Sequence, residues 1–261
     1  MVIASGYLGW NPAEVRIGPS VMDADGAVRL DPGPGMHPRD CAPAASAVLV
    51  AAEGTGEDAL LLLRARAPAR TVARGRGILA AAADAAGTTG WYTVAHGLDG
   101  SAEVWTVDLD GGEPRRAWGG CAVDSPLVWM PDGRVAFHGT DGWIRVAGPG
   151  EGEPVRVAAG RSPAADGTGR LAYLRGRAVV VRGADGAERE WPLPRTLGRP
   201  TLARVLSWSP DGREVSWGRT AGLVGKRTDF FLLDVQTGRS RRVPQRYLAG
   251  LRLIAPSPEW R

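Results

Sequence analysis

The sequence predicts an all-β fold, a six-bladed β-propeller built from four-stranded antiparallel blades, and three observations carry that prediction. Trp129-Met130-Pro131-Asp132-Gly133-Arg134 recurs as Trp208-Ser209-Pro210-Asp211-Gly212-Arg213 with one substitution, and the two prolines stand 79 residues apart, two periods of about 40, the length of a propeller repeat. Each copy is followed by a short apolar segment, a turn, a second apolar segment and a Gly-rich reversal, which reads as four strands. The 37 glycines and 20 prolines accompany 44% hydrophobic residues and 10 tryptophans, a composition of tight turns between buried strands and not of a disordered chain.

Taken in order, Val2 to Leu8 reads as a strand, Glu14 to Ile17 as the next, and Asp23 to Leu30 as a reversal. Ala42-Pro43-Ala44-Ala45-Ser46 is the turn before the strand Val48-Leu49-Val50, and Asp84-Ala85-Ala86-Gly87 the turn before Trp91-Tyr92-Thr93-Val94. The hexapeptide at Trp129 opens the next unit. Ser162-Pro163-Ala164-Ala165-Asp166-Gly167 holds the same register ahead of Leu171-Ala172-Tyr173-Leu174, and the hexapeptide at Trp208 opens the unit after it. Ala255-Pro256-Ser257-Pro258 is a sixth turn with no strand after it. The expectation is therefore a blade with one inner strand from the C-terminal end and three from the N-terminal end, which leaves no open edge. The unit boundaries divide residues 1–261 into one domain.

A second half-motif follows the middle strands. Val107-Asp108-Leu109-Asp110-Gly111-Gly112 and Leu233-Asp234-Val235-Gln236-Thr237-Gly238 place Gly where a hairpin needs positive φ. Trp-Ser-Pro-Asp-Gly-Arg with a downstream Leu-Asp-x-x-Thr-Gly resembles the WD40-like repeat of TolB-type β-propellers, over essentially the whole chain. That resemblance implies the fold and leaves the activity open, because the architecture hosts many unrelated functions.

The net charge is +4, and Lys226 is the single lysine among 32 basic residues. Codon usage in a G+C-rich genome accounts for that bias, and an anion-binding face is the functional alternative, since guanidinium groups bind carboxylate and phosphate bidentately. Arg115-Arg116 and Arg239 to Arg242 are candidates for such a face. A nucleic-acid site needs a denser basic stripe with interleaved aromatics, so none is expected. Cys41 and Cys121 read as entering first strands of non-adjacent blades, too far apart for a bridge, and free thiols fit a reducing compartment. No basic-plus-apolar leader and no run of about 18 apolar residues is present. The expected location is the cytoplasm, with no membrane partner.

Motifs for chemistry are sparse. There is no Gly-x-Ser-x-Gly elbow, P-loop, dinucleotide fingerprint or Cys-x-x-Cys pair, and no cofactor is expected. The three histidines map to one end of the ring. His96-Gly97-Leu98-Asp99-Gly100 and His138-Gly139-Thr140-Asp141-Gly142 occupy equivalent second-to-third-strand loops, and His37 lies in the connection into its blade. Asp40 and Asp124 begin inner strands at that end, where Arg39, Arg161, Arg199 and Arg204 hold comparable positions. Gly218 to Asp229, with Lys226 and Arg227, reads as a long loop projecting from the same end. The leading expectation is a non-enzymatic binding or scaffold module presenting this loop-rich end to a protein or a small anionic ligand. The alternative is an enzyme using His96, His138 and His37 as acid/base groups or metal ligands, against the bland reading of these histidines as solvated turn residues. Trp129 and Trp208 read as packing residues, whereas Trp10, Trp118 and Trp143 read as loop residues available to a surface.

Overall fold

A run such as Ala47-Val48-Leu49-Val50-Ala51-Ala52 is apolar at every position, so as a strand it can be stable only with both faces covered. The computed structural model describes residues 2–4, 20–23, 26–29, 36–44, 47–64, 68–97, 99–193, 200–209, 211–221, 227–242 and 254–255, and it covers those faces by stacking sheets. The described strands form six four-stranded antiparallel sheets and no helix. Sheet I is β1 (Val2–Ala4), β2 (Ser20–Asp23) and β3 (Gly26–Arg29), completed by β24 (Ile254–Ala255). Sheet II is β4 (His37–Ala44), β5 (Ala47–Glu53), β6 (Asp58–Arg64) and β7 (Arg70–Gly75). Sheet III is β8 (Ile78–Ala83), β9 (Thr89–Ala95), β10 (Ser101–Asp108) and β11 (Arg115–Ala122). Sheet IV is β12 (Val128–Trp129), β13 (Val135–His138), β14 (Trp143–Ala147) and β15 (Val155–Ala159). Sheet V is β16 (Arg161–Ala165), β17 (Leu171–Arg175), β18 (Ala178–Arg182) and β19 (Glu188–Pro192). Sheet VI is β20 (Pro200–Trp208), β21 (Glu214–Ala221), β22 (Arg227–Asp234) and β23 (Ser240–Arg242).

Alternation along each strand sends neighbouring residues to opposite faces. Leu49, Ala51, Leu60 and Leu62 of sheet II pack with Ile78, Ala81, Tyr92 and Leu109 of sheet III, while Val48, Val50, Leu61 and Leu63 form a cluster on the other face of sheet II. Trp91, Val104 and Trp118 of sheet III meet Leu127, Val135 and Phe137 of sheet IV, and sheet IV meets sheet V through Ile144, Val146, Tyr173 and Val180. The core is thus a series of shared inter-sheet layers.

The interface of sheets V and VI shows what the hexapeptide does. Trp208 is 3% exposed, its indole N–H donates to Ala164 O at 3.1 Å, and the Arg170 guanidinium lies 4.6 Å from its ring centroid. Arg170 Nη2 donates to Gly212 O at 2.7 Å and its Nε to Asp166 Oδ2 at 2.7 Å. Burial raises the Asp166 carboxyl, but hydrogen bonds from Thr168 and Arg170 outweigh that and hold it below its ordinary value. A carboxyl lowered in the folded state stabilises above its unfolded pKa, and the contribution is lost as pH falls through the folded value. Asp166→Asn is therefore expected to lower the melting temperature at pH 7, with the difference from the parent narrowing below about pH 4; thermal melts at several pH values check this.

Sheet I pairs Ile3 with Ala255 and Ala4 with Ile254, so a C-terminal strand lies against an N-terminal one. Its next strand is Ser20–Asp23, and Glu14 to Ile17 lie outside the described residues. Three expectations are corrected. Gly218 to Ala221 and Arg227 to Asp229 are strand, not loop, because the β21–β22 ladder runs on through Thr220↔Thr228 to Ala221↔Arg227; β-branched and aromatic residues on both sides favour extension of the ladder. Cys121 lies near the end of β11, the fourth strand of sheet III, while Cys41 lies in β4 of the preceding sheet. Trp118 is 7% exposed and donates to Gly152 O at 3.0 Å, so it is a core residue.

Candidate functional site

In each sheet the second-to-third-strand loop and the entry to the next sheet fall at one end, which gathers most of the candidate residues. His138 is the last residue of β13 and is 5% exposed. Its Nε2 lies 3.1 Å from Asp124 Oδ1, and the Ser162 backbone N–H donates to its Nδ1 at 3.4 Å. Because Nδ1 accepts, a neutral ring carries its proton on Nε2 and gives it to Asp124. The His138 N–H donates to Ser125 Oγ at 2.8 Å, and that hydroxyl donates to Pro126 O at 2.9 Å. Ser162, 1% exposed, has φ of 51°, the sole positive φ of a residue other than Gly among the described residues. That conformation costs on the order of 1 kcal/mol and turns its N–H onto the imidazole. His138 thus braces sheet IV to the first strand of sheet V. Thr93, on the equivalent rung of sheet III, is also buried and accepts from Ala80 N at 3.1 Å.

Cys121 is buried and free, and joined to Gly139 by an isolated bridge. Burial pushes its thiol up to about 12, so at neutral pH it is a thiol and not a nucleophilic thiolate.

His96 behaves differently. Its side chain is 61% exposed and Nε2 lies 2.8 Å from Glu103 Oε2, while Arg116 Nε meets Glu103 Oε1 at 2.8 Å and Trp105 Nε1 donates to Oε2 at 3.2 Å. The hydrogen bond from His96 first, and then those from Trp105 and the Arg116 charge, hold the Glu103 carboxyl below its ordinary value. The two equivalent loops therefore hold one solvated histidine, as the bland reading expects, and one buried histidine, which corrects it.

Arg39 Nη1 donates to Asp58 Oδ2 at 2.9 Å and to Ile78 O at 2.8 Å, and Nη2 stands 3.5 Å from Glu53. Asp58 also accepts from Gly77 N at 2.6 Å and Ile78 N at 3.2 Å. Asp40, inside β4, accepts from Ala81 N at 3.1 Å. This pair clamps sheet II to sheet III. Asp124 sits in the turn ahead of β12, and half-exposed Arg161 opens β16 next to Ser162. Arg204 lies mid-way along β20, Arg227 begins β22 and His37 begins β4; Arg199 and Lys226 lie outside the described residues.

The structure thus brings together His138 with Asp124, sets Arg39 and Asp40 side by side against sheet III with Arg39 paired to Asp58, and keeps His96 on a separate carboxylate. Among the described residues no three His, Cys, Asp or Glu side chains are grouped as metal ligands. Sequence reasoning missed Ser125 and Ser162; the signal available was a serine at the entry of two successive inner strands.

The architecture has known counterparts. The fold matches TolB from Acinetobacter baumannii with a TM-score of 0.62 at 15% identity, over 87% of this chain and 59% of that one. It matches a chain of a nidogen/laminin complex at 0.63 and 11% identity over 97% and 95%, and a puromycin-hydrolyzing peptidase of Mycobacterium tuberculosis at 0.61 and 17% over 92% and 44%. The chain spans about three-fifths of TolB and under half of the peptidase. These likenesses show a TolB-like β-propeller fold. No protein-family model and no curated protein sequence matches the chain. No described helix is long and apolar enough to cross a membrane.

Proposed function

We propose that this protein is a single-domain, six-bladed propeller, ring-closed by β24 against β1, that works as a non-enzymatic binding or scaffold module. Its loop-rich end offers Arg161, Arg199, Lys226 and Arg227 to a protein partner or a small anionic ligand, with Arg39, Asp40 and Asp124 framing the strands beneath; Arg204, expected at a strand entry, lies instead mid-way along β20 and is not part of that end. The observation that carries this reading is the use of the reactive groups: both ring nitrogens of His138 are engaged, by Ser162 N–H and Asp124, and Arg39 is spent on Asp58. A rigid surface with its polar braces satisfied suits recognition better than turnover. The buried free thiol of Cys121 is in keeping with a reducing, cytoplasmic setting. Nucleic acid, membrane and cofactor have no part in the proposal.

An enzymatic alternative rests on the buried Asp124–His138 pair beside the strained Ser162, with His96 or His37 as a second group. The two readings separate experimentally. Binding of citrate, as a small anionic probe, should weaken about tenfold in Arg161→Ala/Lys226→Ala with the melting temperature unchanged, since removing a charge without opening a cavity changes stability little. His138→Ala should leave citrate affinity unchanged yet cost about 2–4 kcal/mol of stability, because it opens a cavity and strips a partner from Ser162 N–H and Asp124, while His96→Ala should cost under about 0.5 kcal/mol. Citrate affinity untouched by the double charge removal, or a partner footprint confined to the opposite end, would overturn the binding face.

A further inference from the structure

Sheets III and IV enclose a groove at the end opposite the histidines. Its volume is ≈ 610 Å³, and its lining includes Asp84, Thr89, Trp91, Trp129, Gly133 and Glu151. The residues come from the β8–β9, β12–β13 and β14–β15 turns and the strand ends beside them.

The groove is the counterpart of the V–VI interface, where the other copy of the hexapeptide stands. The pairing register fixes the equivalence. Ala165 pairs with Leu171 just before Asp166, and Ala83 pairs with Gly90 just before Asp84. Asp166 N–H donates to Arg170 O at 3.1 Å, and Asp84 N–H donates to Thr89 O at 3.0 Å. Asp84 therefore stands for Asp166, Thr89 for Arg170, Trp129 for Trp208 and Gly133 for Gly212. In sheets V and VI the four form one braced unit: carboxylate, guanidinium, indole and glycine carbonyl. In sheets III and IV a short, uncharged threonine replaces the arginine.

Three further observations agree. A Cβ added to Gly212 would run into Arg170 Nη2, whereas one added to Gly133 would meet nothing within 4 Å. Trp208 has a partner for its indole N–H, but the indole nitrogens of Trp91 and Trp129 are buried without one, and Trp91 is 1% exposed. The lining also carries three carboxylates, Asp84, Asp132 and Glu151, against the single guanidinium of Arg134, which Asp132 already holds at 2.6 Å. The groove is thus acidic, floored by indole and open where its twin is filled.

We propose that this groove takes the guanidinium of an arginine on a polypeptide partner, seated over Trp129 and against Asp84 as Arg170 is seated over Trp208 and against Asp166. A planar guanidinium stacks on indole and forks a carboxylate at once, which an ammonium does not. Trp91 and Trp129 line the groove, and their unpartnered indole N–H groups report its occupancy. The site is independent of the loop-rich face, so either proposal can fail without the other.

The test follows the indole N–H resonances in ¹⁵N-labelled protein, assigned by Trp129→Phe and Trp91→Phe, during titration with acetyl-Gly-Arg-Gly-amide. Saturable movement of both resonances is expected, at least about tenfold weaker with the lysine or citrulline analogue. Thr89→Arg should abolish the response and raise the melting temperature, because the chain then supplies its own guanidinium; Asp84→Asn should weaken the response about tenfold. No movement at millimolar peptide, equal movement with citrulline, or an unchanged titration in both variants overturns the proposal. Resonances that shift with protein concentration alone would assign the groove to a second copy of this chain, and would overturn it too.

Discussion

Trp208→Ala is expected to lower stability by about 3–5 kcal/mol, whereas Trp143→Ala should cost less than about 1 kcal/mol. The indole of Trp208 is 3% exposed and packs with Trp217, Val215 and Leu174. Its removal opens a cavity between sheets V and VI, frees the Ala164 carbonyl from its side-chain donor, and uncovers Arg170 and Asp166 beneath it. Trp143 is 38% exposed, and its described cation contact is Arg156 at 5.7 Å from the ring centroid, an exposed pair of small value. Denaturant midpoints of the two variants decide the matter. Similar midpoints would mean that the hexapeptide tryptophan is not the inter-sheet brace described above.

Removing residues 250–261 is expected to make the protein aggregate. β24 is the edge strand of sheet I and pairs with β1 through Ile3↔Ala255 and Ala4↔Ile254. Without it, the backbone donors and acceptors of β1 on that side lose their partners, and an unpaired edge of this kind templates association with other chains. Light scattering and the melting temperature read the outcome. A monodisperse truncation with an unchanged melt would show that the β24–β1 pairing contributes nothing to stability.

The sheets were legible where turn chemistry and apolar runs coincide. Asp132, Asp211 and Asp234 each accept hydrogen bonds from backbone N–H groups two or three residues on, and a glycine with positive φ ends each of these turns, which is the signature the motif carries in its letters. Gly218 to Asp229 reads as a loop in the sequence, whereas the cross-strand pair Thr220↔Thr228 extends the hairpin. Trp118 reads in the sequence as a loop residue available to a surface, yet its face is set by the β10–β11 register. Of the candidate site, the shared end of His96 and His138 could be seen in the loop spacing, but their opposite fates could not. His138 is buried by the first strand of sheet V, a partner 24 residues away in sequence. The Trp129 groove was hidden for a similar reason: the Asp84 to Thr89 turn is one residue longer than the Asp166 to Arg170 turn, so Thr89 does not align with Arg170 until the strand pairing is known.

The two-faced burial of each sheet has a consequence for how such a chain can change. Sheet III presents Tyr92 and Leu109 to one neighbour and Trp91 and Trp118 to the other, and sheet IV offers Phe137 on one side and Ile144 on the other. These are unlike mating surfaces, shaped in pairs. Length can therefore vary only in whole units that bring two matching faces with them, and the units cannot be shuffled, because Trp91 occupies the rung where sheets IV and V carry Ala136 and Ala172. The repeats look interchangeable as text, but their order is written into the volumes of the side chains between them.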